Sequence, residues 1–274
     1  MKRVLHARWL LPVVVGVTAF VLWQGTRGPR WHDVRPGVEF STFAGDPWCR
    51  FGSSSIAVLR CDPARVKLRV RHWSRSGVET PPSILGWHQA TRAIAVFNAG
   101  QYYPDWRYMG LLVSDGDTVS SRRHPEFQGA LVGRVKDGRL DARVLDLATT
   151  PLLRDEGWSQ VAQSFMLFDR AGGVRVRRSN KIAQRTAVAE DEKGRLVVIV
   201  TEGGYTIADF AALLRKSPLG LTHAMSMDGG LEAELVVETR NFRYASFGSW
   251  DGMGASTAPG ANVPLPAVIT LEAP

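Results

Sequence analysis

Short apolar runs separated by tight glycine turns dominate the chain, and they constrain its fold more than any other feature. The dipeptides Asp137-Gly138, Gly172-Gly173 and Lys193-Gly194 lie between such runs, and turns of this kind are typical of β-hairpins. Residues 83–92 and 206–216 are predicted to form helices, and they begin with Ser83 and Thr206, which are good helix caps. Because strands and helices do not alternate regularly, the pattern predicts a single α+β domain, with a mixed, largely antiparallel sheet and a few packed helices.

The first thirty residues have the pattern of an export signal. Lys2, Arg3 and Arg8 precede an uncharged, mostly apolar span over residues 9–26, which is at the short limit for a membrane helix. No A-x-A cleavage site follows this span, which favours an uncleaved anchor over a removed signal peptide. We therefore expect three regions: a signal anchor or signal peptide over residues 1–30, a linker leading into the domain over residues 31–48, and the main domain over residues 49–274.

This segment predicts an exported protein, in the periplasm or on the outer face of the inner membrane, that contacts the membrane through its N-terminus. The net charge of +8 partly reflects the same segment, because residues 1–30 hold five of the 34 Lys and Arg residues and none of the 26 Asp and Glu residues. The remainder of the chain is only mildly basic and shows no footprint of nucleic-acid binding.

Cys49 and Cys61 are the only cysteines in the chain. Both lie in the part that is expected to be exported, where disulfides form and persist, so the sequence predicts a disulfide that closes a short loop between them. Two cysteines and scattered histidines do not supply the ligands of a zinc site. We therefore expect no metal centre built on the cysteines.

An apolar run ends abruptly in Asp228, which is followed by Gly229-Gly230 and then by Glu232 and Glu234. Paired glycines allow unusual backbone angles and the close approach of a ligand, so this turn is a candidate for a functional site. One alternative is an ordinary acidic turn between two strands. Another is a calcium site, because hard cations prefer carboxylate oxygens and strand alternation places residues 232 and 234 on one face.

Three other polar features stand at the ends of apolar runs. Asn98 follows residues 93–97, Gln163 precedes residues 164–168, and Arg185-Thr186 begins a further run. Each alone is typical of a surface or a turn. Together with the acidic turn they indicate a site for a sugar phosphate, because an arginine fork matches phosphate oxygens, amides hold sugar hydroxyls and a carboxylate serves the anomeric carbon. The motifs of serine hydrolases, P-loop proteins, zinc proteases and Rossmann folds do not occur in the sequence.

Five segments follow one another along the chain: FNAGQYYPDWRYMGLLVSDG, QSFMLFDRAGG, QRTAVAEDEKGRLVVIVTEG, YTIADFAALLRKSPL and AMSMDGGLEAELVV. Their order resembles the phosphodiester glycosidase family, which includes N-acetylglucosamine-1-phosphodiester α-N-acetylglucosaminidase, and in particular its exported bacterial branch. The resemblance extends over roughly residues 50–271, so residues 49–274 are expected to form a phosphodiester glycosidase-like domain. It implies hydrolysis of the bond between a sugar anomeric carbon and a phosphodiester oxygen, with no cofactor required and a glycan or glycosyl phosphate as the partner.

The resemblance also implies roles for individual residues. It assigns Asp228 and Arg185 to catalysis, and Glu232 adds a second candidate carboxylate four residues further on. The residues assigned to substrate binding are Asn98, Gly100, Gln163, Thr186, Gly229 and Gly230. Two departures from the family pattern stand out. Ala99 replaces a glycine, and the run over residues 231–234 replaces small hydroxyl residues.

These observations lead to the hypothesis of an envelope hydrolase that cleaves a sugar–phosphodiester bond in a cell-surface or exopolysaccharide-type substrate. The altered residues after Gly230 motivate an alternative, a non-catalytic envelope module that binds a glycan or a partner. The enzyme hypothesis predicts that Asn98, Gln163, Arg185 and Asp228 line one pocket.

Overall fold

Seventeen strands and two α-helices make up the regular structure of residues 29–152, 156–249 and 262–274, the part of the chain that the computed structural model describes. In chain order the strands are β1 (His32–Arg35), β2 (Val38–Ala44), β3 (Ser55–Cys61), β4 (Lys67–His72), β5 (Ala95–Asn98), β6 (Leu112–Ser114), β7 (Asp117–Ser120), β8 (Gly129–Lys136), β9 (Arg139–Asp146), β10 (Gln160–Ser164), β11 (Met166–Phe168), β12 (Arg185–Asp191), β13 (Leu196–Thr201), β14 (Leu221–Gly229), β15 (Leu235–Thr239), β16 (Phe242–Ser246) and β17 (Ala267–Glu272). The helices are α1 (Ile84–Thr91) and α2 (Ile207–Lys216).

The strands form three sheets. The first has the order β1-β2-β3-β13-β12-β14-β11, the second β7-β6-β10-β8-β9 and the third β16-β15-β5-β17-β4. Every pairing between these strands in the described residues is antiparallel. The expected single, largely antiparallel domain is confirmed, but in the described residues the sheets are not mixed and the fold is richer in strands than expected. Six of the 14 pairings join strands that are consecutive in the chain.

The first sheet is covered on both faces, and this places the core at its centre. All six residues of β13 are buried, which explains their continuous apolar sequence. On one face Ile199 packs with Phe210 and Leu214 of α2. On the other face Val198 belongs to the large cluster that includes Phe97 of the third sheet.

Both α-helices begin where the sequence predicts. The Thr206 hydroxyl accepts the Asp209 N–H at 3.1 Å and caps α2, and the Ser83 hydroxyl accepts the Gly86 N–H at 3.3 Å and caps α1. Such caps satisfy backbone donors that have no partner within the helix. Local capping signals therefore set the starts of both helices.

The expected signal anchor or signal peptide over residues 1–30 lies outside the described residues, apart from residues 29 and 30. Within the described ranges, no helix is long and apolar enough to cross a membrane. Residues 31–48, expected to be a linker, instead contain β1 and β2. Because β2 pairs with β3 from Val38↔Cys61 to Ala44↔Ser55, this segment completes one edge of the first sheet.

The expected disulfide between Cys49 and Cys61 is wrong, because both cysteines are free. Cys61 ends β3, whereas the Cys49 Sγ lies 3.6 Å from the carbonyl oxygen of Ser53, before β3 begins. A seven-residue strand spans about 20 Å, while the Cα atoms of a disulfide lie within about 7 Å of each other. Burial raises the pKa of the Cys61 thiol to about 12, which keeps it protonated.

The ends of β5, β12 and β14 meet where the first and third sheets adjoin. Arg185, the first residue of β12, pairs with Gly229, the last residue of β14. The Asp228 N–H donates to the carbonyl oxygen of Ala99, directly after β5, at 3.0 Å. Since β15 pairs with β5 in the third sheet, the acidic turn between β14 and β15 passes from one sheet to the other.

Candidate active site

The side chain of Asn98 joins the three strand ends. Its Nδ2 donates to the carbonyl oxygen of Asp228 at 3.0 Å, and its Oδ1 accepts from Thr186 Oγ1 at 2.8 Å and from the Glu234 N–H at 3.3 Å. The residue is only 1% exposed. Because both ends of the amide are bonded to protein groups, Asn98 fixes the position of its neighbours.

The acidic turn has a backbone that requires its second glycine. Asp228 Oδ1 accepts the Gly229 N–H at 2.9 Å. Gly230 has a φ of +84°, in the left-handed region that favours glycine, and its N–H donates to the carbonyl oxygen of Gln184 at 2.9 Å. A short 3-10 helix over Gly230–Glu232 then leads towards β15.

Asp228 is half-buried, and the pKa of its carboxyl group is raised to about 7. Removal from water is the main cause, and the negative charge of Glu232 adds to it. The Gly229 N–H and the positive charges of Lys181 and Arg185 oppose the shift. A carboxyl group with a pKa near 7 exchanges a proton at neutral pH, which suits a general acid or base.

Arg185 is held beside the turn by two backbone carbonyl groups. Its Nε donates to the Tyr205 oxygen at 3.0 Å, and its Nη2 donates to the Lys181 oxygen at 2.8 Å. Burial lowers the pKa of Arg185 to about 10, and Asp228 partly opposes this effect. The guanidinium therefore remains charged at neutral pH, and its plane is fixed, which suits an anionic ligand.

Glu232 lies at the end of the 3-10 helix, where its Oε1 accepts the Tyr102 hydroxyl at 3.0 Å. Tyr102 comes from the loop after β5. Its pKa is raised by burial, then by Glu232, and further by Asp228 and Glu234. The three carboxyl groups of the turn therefore share one electrostatic environment around this tyrosine.

Glu234 is fully buried, and neither of its carboxyl oxygens has a hydrogen-bond partner among the described residues. Burial, and secondly the charge of Glu232, raise its pKa to about 9. Glu234 is therefore a neutral carboxylic acid at pH 7, because an isolated buried carboxylate is strongly disfavoured. Within the described ranges, no group of three His, Cys, Asp or Glu residues is arranged to hold a metal ion, and the calcium site stays a hypothesis.

The Gln163 amide is bonded entirely to backbone groups rather than open to a ligand. Its Oε1 accepts the N–H groups of Leu111 and His124 at 2.9 and 3.0 Å, and its Nε2 donates to the carbonyl oxygens of His124 and Phe127 at 3.1 and 2.8 Å. These four bonds connect β10 to two loops. The structure thus gives Gln163 a role in fixing loops, and its contact with substrate stays a prediction.

Gly100 is required by the packing of Tyr108. The Gly100 N–H donates to the Tyr108 hydroxyl at 3.1 Å, and that hydroxyl donates to the backbone oxygen of Gln163 at 2.9 Å. A Cβ atom on Gly100 would collide with the hydroxyl oxygen. The glycine therefore allows the loop after β5 to lie against β10.

The structure places most of the predicted residues in one bonded cluster, and their catalytic and binding roles stay predictions. The cluster contains Asn98, Arg185, Thr186, Asp228, Gly229, Gly230 and Glu232. Sequence reasoning missed Tyr102 and Lys181 and assigned Glu234 only to a calcium site. Tyr102 lies in one of the segments that resemble the family, whereas the burial of Glu234 and the position of Lys181 have no signal in the sequence.

A carboxyl group of raised pKa beside a rigidly held arginine, where antiparallel sheets adjoin, defines a candidate site for an anionic ligand. The sequence profile of the phosphodiester glycosidase family matches residues 91–263, and the chain belongs to this family. The matched range contains every predicted catalytic and substrate-binding residue, from Asn98 to Glu232. A comparison with curated proteins found no match.

Two solved structures show the same fold. A hypothetical protein from Synechocystis has a TM-score of 0.63 and 12% identity over 91% of this chain, which spans only 64% of that protein. The zebrafish N-acetylglucosamine-1-phosphodiester α-N-acetylglucosaminidase catalytic domain, auto-inhibited by its pro-peptide, has a TM-score of 0.60 and 16% identity over 92% of this chain and 91% of its own. At sequence identities this low, the similarity to these two structures shows a shared fold.

Proposed function

We propose that this protein is a hydrolase that cleaves the bond between a sugar anomeric carbon and a phosphodiester oxygen. The observation that carries the proposal is the position of Asp228, with its pKa near 7, beside the backbone-anchored Arg185 at adjoining strand ends. Membership of the phosphodiester glycosidase family supports the same class of reaction. The zebrafish protein of similar fold is a phosphodiester glycosidase by name.

In the proposed reaction, a water molecule attacks the anomeric carbon while the bond to the phosphodiester oxygen breaks. The ionised carboxylate of Asp228 accepts a proton from this water, and the electron pair of the broken bond remains on the phosphate. The products are a free sugar and a phosphomonoester. Because the leaving group is already a weak base, a second carboxylic acid matters less than in ordinary glycosidases.

Arg185 stabilises the leaving phosphate in this proposal. Its hydrogen bonds to the carbonyl groups of Tyr205 and Lys181 fix the plane of the guanidinium. A phosphate oxygen that approaches Nη1 would therefore meet a donor that is already oriented. Preorganised donors of this kind stabilise charge that develops in the transition state.

The other residues of the cluster orient these two groups and the substrate. Asn98 and Thr186 hold the strand end that carries Asp228, so we assign them to positioning rather than to direct sugar contact. Glu232, held by the Tyr102 hydroxyl, is the second carboxylate and binds a sugar hydroxyl. The glycines after Asp228 leave room for the ligand to approach the backbone.

The proposed substrate is a glycosyl phosphodiester of the cell surface or of an exopolysaccharide. The support is the N-terminal segment over residues 1–30, which has a basic start and an uncharged span typical of exported proteins. A location in the periplasm or on the outer face of the inner membrane would bring the candidate site to such polymers.

The test uses the purified full chain and a panel of sugar 1-phosphodiesters, and it detects released phosphomonoester by mass spectrometry. Asp228→Asn should lower kcat by about 100-fold or more, because an amide can keep the bond to the Gly229 N–H but cannot accept a proton. Asp137→Asn is the matched control. It lies in an exposed hairpin turn and should retain full activity.

Other results of the hydrolysis assay would contradict the role of Asp228 or support the alternative function. Equal hydrolysis by the wild type and Asp228→Asn would contradict the role of Asp228. Tight glycan binding without turnover across the whole panel would instead support the non-catalytic binding module.

The calcium hypothesis is tested with the same protein, because a structural ion held by Asp228, Glu232 and Glu234 requires the melting temperature to fall when a chelator is added.

A further inference from the structure

An aromatic cleft lies beside the loop that carries Tyr102. Its volume is about 300 Å³, and its walls include Trp73, Tyr103 and Trp106. The rings of Trp73 and Trp106 meet edge to face, with their centroids 5.7 Å apart. None of these three residues takes part in the reaction proposed above, so the aromatic cleft needs a separate explanation.

The wall of the aromatic cleft is a small hairpin in the loop between β5 and β6. Tyr102 and Tyr108 form a β-bridge at its base. The Tyr103 N–H donates to the Arg107 oxygen at 2.8 Å, and the Trp106 N–H donates to the Tyr103 oxygen at 2.7 Å. These bonds fix the shape of the wall, and a fixed wall lowers the entropy cost of binding.

Trp106 has a backbone conformation that is unusual for its type. Its φ is +66°, in the left-handed region that bulky residues rarely adopt. Strain of this kind persists where the surrounding structure imposes it, and it is concentrated at ligand sites. Here the conformation places the indole ring against Trp73, where the two rings form the aromatic cleft.

The side chains of the aromatic cleft suit a sugar. Trp73, Tyr103 and Trp106 line the cleft. The C–H faces of a sugar ring pack on aromatic side chains. Arg107 and Arg122 are exposed and line the cleft. The Arg107 Nε donates to Asp105 of the same cleft at 2.6 Å, so Arg122 is the residue that would favour a phosphate group there.

Tyr108 connects the aromatic cleft to the candidate active site. Tyr108 is one of the residues that line the cleft, and its buried hydroxyl accepts the Gly100 N–H at 3.1 Å. The preceding residue, Ala99, accepts the Asp228 N–H at 3.0 Å. Tyr102, which precedes Tyr103 of the cleft wall, also donates its hydroxyl to Glu232 of the candidate site at 3.0 Å. One short loop therefore contributes residues to both places.

We propose that the aromatic cleft is a subsite for a neighbouring sugar of the glycan whose phosphodiester bond is cleaved. This inference rests on the proposed function for its reaction, but binding at the cleft can be measured separately. It narrows the substrate class to a sugar phosphodiester within a longer glycan, as opposed to the phosphodiester of a single sugar.

The test compares short and long substrates with the full chain. The short substrates are methyl phosphodiesters of hexose and N-acetylhexosamine 1-phosphates, and each long substrate is extended by one sugar on either side of the phosphodiester. Trp106→Gly removes the ring and suits the positive φ. It should raise KM for long substrates about tenfold and leave KM and kcat for short substrates unchanged. Trp158→Ala is the control, because this tryptophan packs on Arg134 in the second sheet.

Tyr103→Ala provides a second test of the subsite, because Tyr103 also lines the aromatic cleft. If Trp106→Gly lowers the melting temperature strongly, Tyr103→Ala should show the same selective rise in KM. An equal effect on both substrate classes, or no effect, in a folded variant would overturn the subsite.

Isothermal titration calorimetry separates this inference from the proposed function. If nothing in the panel is hydrolysed, but long compounds bind more tightly than short ones and Trp106→Gly removes the difference, the proposed function fails and the subsite stands. If long compounds bind no better than short ones, the subsite is overturned even when hydrolysis occurs.

Discussion

Two carboxyl groups of the acidic turn have pKa values that are raised to different extents. Asp228 is partly exposed and lies near Lys181 and Arg185, and its pKa is about 7. Glu234 is fully buried, and its pKa is about 9. Pairs of titratable groups with separated pKa values commonly divide acid and base roles. Slightly above neutral pH, Asp228 is ionised while Glu234 keeps its proton, so in the proposed reaction Asp228 acts as the base.

The pH dependence of hydrolysis follows from this assignment. Because Asp228 must be ionised to accept a proton from water, kcat should rise with pH and reach half of its maximum near pH 7, the pKa of this group. A profile measured from pH 5 to pH 9 checks this expectation. A rate that falls across the same range would show that the protonated form of Asp228 is the active one.

Glu234 should make the protein less stable as the pH rises. Its folded pKa of about 9 lies above the usual value of 4.5, so between these values the native state holds a proton that the unfolded chain releases. The free energy of unfolding therefore falls as the pH rises through this range. Glu234→Gln removes the effect, and its stability relative to the wild type should increase by on the order of 5 kcal/mol between pH 5 and pH 9.

Urea unfolding at both pH values measures this difference. Glu79→Gln is the matched control, because Glu79 is exposed and its replacement should leave the pH dependence unchanged. The assignment of Glu234 as a neutral acid would be wrong if Glu234→Gln and the wild type kept the same difference in stability at both pH values.

At the scale of elements, β3 keeps the two cysteines apart, and this can be tested without a substrate. Under native conditions without reductant, Cys49 should react with iodoacetamide, whereas Cys61 should not, because Cys61 is buried and its pKa is about 12. After unfolding without reductant, both should react. Intact-mass measurement counts the modified thiols, and a protein that stays unmodified after unfolding would show that a disulfide is present.

The sequence predicts elements well where the signal is local. Thr206 caps α2 as expected, and two of the three glycine turns, Asp137-Gly138 and Lys193-Gly194, lie between paired strands. The sequence does not predict β1 and β2, because their strand conformation depends on pairing with β3, and the local sequence does not reveal that pairing. The expected disulfide is wrong for a related reason. Two cysteines that are close along the chain lie far apart in space when an extended strand separates them.

At the scale of the whole molecule, the candidate site exists only where two sheets adjoin. The polar residues at strand ends can be found in the sequence because each follows or precedes an apolar run. Their contacts depend on strand register and on how the sheets pack, which bring Arg185 opposite Gly229 and Asp228 next to Ala99. The same packing gives Gln163 four backbone partners, and no sequence pattern distinguishes that amide from one that binds a sugar.

Asn98 should therefore support the stability of the whole molecule as well as the site. Asn98→Asp keeps the size of the side chain but replaces the donor to the Asp228 oxygen with an acceptor. It also places a negative charge at a buried position. The free energy of unfolding should fall by about 2–4 kcal/mol at pH 8, and by less at pH 5, where the introduced carboxyl group takes up a proton more readily and can donate again.

Urea unfolding at pH 5 and pH 8 measures this effect. Asn241→Asp, in the exposed turn between β15 and β16, is the control and should change stability little. Because Asn98 links the first and third sheets through β5, β12 and β14, a single unfolding transition should shift as a whole. If the transition instead divides into two steps, or if stability is unchanged at pH 8, the sheets do not depend on Asn98 for their connection.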